Sequence, residues 1–156
     1  MKLEHLLKAY KLNNINAEIK DVSNETERAG VITFANGISA SYLLDNEDIV
    51  IAMKIFFNCL EPNKNNITIN SQVDYSIKII GVMQRTIMLL ANITQKEANM
   101  ILESLGLFNN TFTNTNGKKI KHLEHEYRIE TVDRLLCFTV NEVVEKRLRR
   151  WWKIVI

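Results

Sequence analysis

The one cluster in this chain whose side chains could ligate a metal is His122-Leu123-Glu124-His125-Glu126. Imidazole and carboxylate are zinc ligands, and on a helix His122, His125 and Glu126 would converge. On a single strand, His122 and His125 would point to opposite faces and the set would break. The segment also lacks the His spacings of zinc-enzyme motifs. An exposed polar strand is the simpler reading. General acid–base work needs titratable groups that meet in a pocket. Asp74, Glu97, Glu130 and Asp133 are dispersed, and each reads as a cap or a solvated charge. Cys137 lies in the apolar run Leu135-Leu136-Cys137-Phe138, where burial blunts a thiol. The five glycines are scattered and form no phosphate-cradling loop. No catalytic residue, metal or cofactor is expected, and the balance of these side chains is against an enzyme. A metal-dependent enzyme built on His122, His125 and Glu126 stands as the alternative.

The most asymmetric feature is the end of the sequence. Lys146, Arg147, Arg149, Arg150 and Lys153 crowd together with no acid among them, beside Trp151 and Trp152. Arginine pairs with phosphates and planar anions, and indole stacks on bases. These seven residues are the expected contact with a protein or nucleic-acid partner. The bland alternative docks Leu148 and Trp151 into the core and leaves the cations solvated. Trp151, Trp152, Ile154 and Ile156 cannot share one side of a helix. Exposed members would suit a homo-oligomer assembled through this segment.

Elements must position these groups. Leu3, Leu6, Leu7 and Tyr10 recur at helical spacing, which predicts a helix over 2–12 ended by Asn13, Asn14 and Asn16. A strand is expected over 17–22. Segments 30–34 and 38–44 flank Asn36-Gly37, the dipeptide of a tight hairpin. The apolar spacing of Ile49, Val50, Met53, Phe56, Phe57 and Leu60 predicts a helix opened by Asp45, Glu47 and Asp48, although the β-branched residues at 49–51 also suit a strand. Ser71 and Asp74 read as the start of a long helix over 72–92. Gly81 inside it costs about 1 kcal/mol relative to Ala, and leaves room for another element to pass close.

Thr94-Gln95-Lys96-Glu97 is a capping box opening a helix over 95–105, with Gly106 suited to its C′ position. Asn116-Gly117 signals a second hairpin over 112–121. Alternation in 123–129 and the apolar run 135–140 predict strands that turn near Asp133. Thr139-Val140-Asn141-Glu142 matches a capping box again. It predicts a C-terminal helix with Val140, Leu148, Trp151 and Val155 on one stripe.

Over about fifteen residues, the tight Asn92-Ile93 link and Ile93-Thr94-Gln95-Lys96-Glu97-Ala98 resemble the start of a helix-turn-helix DNA-binding motif. That family places a recognition helix after the turn. Here Phe108-Asn109-Asn110-Thr111 reads as a loop. The resemblance therefore implies at most a winged variant, with Lys118, Lys119 and Lys121 near phosphates.

The chain has 156 residues and a formal net charge of only +2, so a basic contact would be local rather than global. Cys59 and Cys137 fit no paired-cysteine motif. Glu4, His5 and Lys8 interrupt the first apolar stretch, so no signal-peptide core is read there. No apolar run nears the roughly 20 residues of a membrane span. A cytoplasmic protein is expected. Abundant Asn and Ile, whose codons are AT-rich, suit a phage or mobile-element origin. The expected architecture is a single α+β domain over 1–156, with an antiparallel sheet of hairpins packed on one face by two or three helices and a basic amphipathic C-terminal helix. The expected function is that of a small non-enzymatic binding or accessory protein.

Overall fold

The computed structural model describes residues 1–34, 37–58, 69–107, 117–132 and 135–143. Within them lie three helices and seven strands: α1 (Leu3–Leu12), β1 (Ala17–Asp21), β2 (Arg28–Phe34), β3 (Ser39–Leu44), β4 (Val50–Asn58), α2 (Ile69–Ala91), α3 (Gln95–Ser104), β5 (Lys119–His122), β6 (His125–Val132) and β7 (Leu135–Glu142). The strands form one antiparallel sheet in the order β1-β2-β3-β4-β7-β6-β5. Two meanders, β1–β4 and β5–β7, are thus zipped together along β4 and β7, with α2 and α3 inserted between them in sequence. This is the expected α+β arrangement.

One sheet face is apolar across its central strands. Cross-strand register aligns Ile32, Ala40, Ile55, Phe138 and Ile129 in one row, and Tyr42, Met53, Val140 and Tyr127 in the next. All nine are buried in the core with α1 residues Leu6 and Tyr10, α2 residues Met83 and Ile87, and α3 residues Ala98, Ile101 and Leu102. Burial of this stripe-on-sheet kind is what holds such layers together.

Each helix ends the same way. Asn14, Asn92 and Gly106 have φ values of 57°, 52° and 81°. The following residues Ile15, Ile93 and Leu107 donate their N–H groups to the carbonyls of Tyr10, Met88 and Leu102. This is the six-to-one closure of a Schellman motif, and Asn and Gly are the residues that tolerate its left-handed position. At the start of α3 the capping box is complete: Glu97 N donates to Thr94 Oγ1 at 3.3 Å, and Thr94 N donates to Glu97 Oε2 at 2.8 Å.

Four expectations are corrected. Residues 50–58 are the strand β4, not a helix. β4 is central, with Ala52, Met53, Lys54 and Ile55 all buried, so it lacks the alternation that marks a half-buried strand. The preceding acids cap a hairpin instead: Asp45 Oδ1 accepts from Glu47 N at 2.9 Å and Ile49 N at 3.0 Å. α2 begins at Ile69, so Ser71 is not its N-cap. The alternation expected over 123–129 is interrupted by the two-residue turn Leu123-Glu124 of the β5–β6 hairpin, with His122 paired to His125 and Leu123 at φ 53°, while the hairpin signalled by Asn116-Gly117 reaches into 108–116, outside the described residues. Finally, Thr139–Glu142 continues β7 rather than opening a helix. A run of apolar and β-branched residues overrides a local cap signal there.

Candidate functional site

The residues expected to carry function were Lys146, Arg147, Arg149, Arg150, Trp151, Trp152 and Lys153. All seven lie outside the described residues, as does the predicted C-terminal helix beyond Val143. The predicted wing is represented by β5, whose Lys119 lies 3.7 Å from Glu126.

The His cluster is arranged differently from the single-strand reading. The two-residue turn makes His122 and His125 direct cross-strand partners, so they share a face with Tyr127. Glu126 falls on the other face, beside Lys119. Burial holds the His125 imidazole below its ordinary pKa, against the opposing pull of Glu142 and Glu124. Among the described residues, no three His, Cys, Asp or Glu side chains converge as a metal site. Cys137 is buried, which raises its thiol pKa.

The sheet face away from the helices carries a polar row. Register aligns Ser41, Lys54, Thr139 and Arg128 across four strands. Glu130 lies 3.6 Å from Lys54 and 3.2 Å from Arg128, so the carboxylate bridges the two cations. Lys54 is only 8% exposed, and such a charge is retained where a partner compensates its desolvation. This row reads as a structural ion-pair network.

A concavity lies elsewhere, where the end of α1 meets α2. A cleft of about 400 Å³ is bounded by the turn Asn13–Asn16, by Phe34 and Ile38 from β2 and the β2–β3 connection, and by α2. Three features of the sequence build it. The Schellman closure turns the chain sharply after Leu12 and sets the asparagine amides on one rim. Tyr10, fully buried, pins the two helices together beneath it. Its hydroxyl is hydrogen-bonded to Thr86 Oγ1, whose own proton goes to the Val82 carbonyl at 2.7 Å. Burial raises the phenol's pKa well above the usual tyrosine range.

The third feature is α2 itself. Lys78, Gly81, Val82 and Arg85 recur at helical spacing and form the opposite wall. A Cβ added at Gly81 would meet no described atom within 4 Å, so the glycine is not there to admit a neighbouring element, as expected, but faces open space in the cleft.

The electrostatics of this end are one-sided. Lys78 and Arg85 line the cleft, and Lys8 and Lys11 line a second concavity of about 580 Å³ that shares Ile15 and Asn16 with it. Glu18 is the one acid among the described residues lining the two. Among the described residues none of the four cations is in an ion pair, whereas Arg28, Lys54, Lys119 and Arg128 all are. No carboxylate, imidazole or thiol is among the described residues lining the first cleft. Sequence reasoning missed this site because its cations sit singly, dispersed over two helices, and only the i, i+7 spacing of Lys78 and Arg85 hinted at a shared face.

Compared with protein-family models, curated proteins and solved structures, the chain matches none.

Proposed function

We propose that this chain is a small non-enzymatic binding protein that acts through a surface contact with an anionic protein or nucleic-acid partner. The observation that carries this reading is the gathering of Lys8, Lys11, Lys78 and Arg85 around the Asn13–Asn16 turn without ion-pair partners among the described residues. Unpaired cations that share a surface repel one another and attract anions. Their cost is justified by a contact that the free protein leaves unmade. The basic segment Lys146–Lys153, with Trp151 and Trp152, is the second contact in this proposal. A phage or mobile-element accessory role suits the composition.

Affinity capture from native lysate, with and without nuclease, tests the reading. A partner retained by the parent chain is expected to be lost from Lys78→Glu/Arg85→Glu, or from the triple reversal of Arg147, Arg149 and Arg150, with folding intact. Retention by both variants at parental levels would remove the proposal. Steep weakening by salt would assign the partner to nucleic acid.

A homo-oligomer is the second reading. It is favoured by the exposed edge of β1, where Ile19 is 46% and Val22 is 48% exposed beside unpaired strand backbone. Light scattering across a concentration series would detect it, and a constant monomer mass would exclude it.

A further inference from the structure

We infer that the cleft between α1 and α2 is a binding site for a small amphipathic anion: a carboxylate or phosphate carried on an apolar body. This goes beyond the macromolecular contact proposed above while resting on two of the same cations, Lys78 and Arg85, and its test reads the small ligand directly. Its volume of about 400 Å³ lies within the range of small-molecule pockets. Its lining divides by chemistry. Phe34, Ile38 and Val82 supply an apolar floor, while Lys78 and Arg85 supply cations and Asn14 and Asn16 supply amides. A few polar groups placed around an apolar floor are the usual anatomy of a ligand site.

The sign of the ligand follows from the lining. The two cations stand seven residues apart on α2, about 10 Å along the helix axis, one at each end of the floor. Among the described residues neither is in an ion pair. No acid is among the described residues that line this cleft. The guanidinium of Arg85 presents the planar fork that suits carboxylate and phosphate oxygens.

The apolar body follows from Gly81. A glycine in the interior of a 23-residue helix weakens it by about 1 kcal/mol relative to Ala. Glycine is usually kept in such a place because a neighbour leaves no room for a Cβ, yet here there is room. The vacant volume is the cleft itself, midway between Lys78 and Arg85. A side chain at position 81 would fill the space that an apolar body of the ligand would occupy.

The test is a ¹⁵N chemical-shift titration of the full chain with 4-phenylbutyrate and phenyl phosphate. The neutral 4-phenyl-1-butanol and inorganic phosphate serve as the two half-ligands. Saturable shifts are expected at Ile15, Asn16, Gly81 and Val82 with one or both amphipathic anions, and the stronger of the two assigns the head group. Each half-ligand should bind at least about tenfold more weakly, the scale of one charge-assisted hydrogen bond. Arg85→Gln should weaken binding by about tenfold. Gly81→Leu should abolish it while leaving the melting temperature equal or higher, because leucine is the better helix former. Equal affinity for the neutral alcohol would overturn the anionic assignment. Binding that survives Gly81→Leu, or the lack of saturable shifts at these residues with either anion, would overturn the site. None of these results bears on capture of a macromolecular partner.

Discussion

At the scale of single residues, the chemistry of this chain is governed by which groups have partners. Tyr10 shows the structural case. Its hydroxyl is hydrogen-bonded to Thr86, and Thr86 still has the Val82 carbonyl when the phenol is removed. Tyr10→Phe should therefore cost only about 1 kcal/mol in denaturant unfolding, the net value of one hydrogen bond without a stranded donor. His125 shows the titrating case. Burial lowers its folded-state pKa below the ordinary value of about 6.5, so the unfolded chain binds the proton more readily. Stability on this account is flat above that value and falls as pH drops below it. A melting-temperature series between pH 7.5 and 5.5 should show this fall, and His125→Gln should reduce it. The histidines were visible in the sequence, but their juxtaposition was not. It depends on a turn at Leu123-Glu124, where Leu123 takes a positive φ that its residue type does not advertise.

At the scale of elements, legibility followed the locality of the signal. The α3 capping box and the Gly106 stop are encoded in a few adjacent residues, and both form as read. Thr94→Ala should cost about 1 kcal/mol, measured by chemical unfolding near neutral pH. Glu97 is held below its usual pKa by hydrogen bonds from Thr94. The part of the stability that comes from its ionised form is present above the ordinary Glu pKa and lost as pH falls through the lowered one. The misread elements are those decided by distant partners. β4 reads as a helix because burial on both faces erases the period of two, and its identity comes from β3 and β7 on either side. β7 overrides the Thr139–Glu142 cap signal because Asn141 is buried in the ladder between Ala52 and Glu126. The Asn13–Asn16 turn was read as a helix stop, which it is. That the same turn forms one rim of a cleft required knowing that α2 lies opposite.

At the scale of the whole molecule, charge distribution matters more than the net value of +2. The sheet face away from the helices pairs its cations with Glu126 and Glu130. At the α1–α2 end, Lys8, Lys11, Lys78 and Arg85 have no ion-pair partner among the described residues. No single described helix is long and apolar enough to cross a membrane. The contrast between the two regions makes a claim about stability as well as binding. If Lys78 and Arg85 are kept for an external anion, removing their charge loses no internal contact and relieves mutual repulsion. The melting temperature of Lys78→Gln/Arg85→Gln, measured at low salt without added ligand, is the most direct test. The expected value equals or slightly exceeds that of the parent chain. A fall of more than about 3 °C, corresponding to roughly 1 kcal/mol for a chain of this size, would show that these cations hold the fold together and would contradict the account.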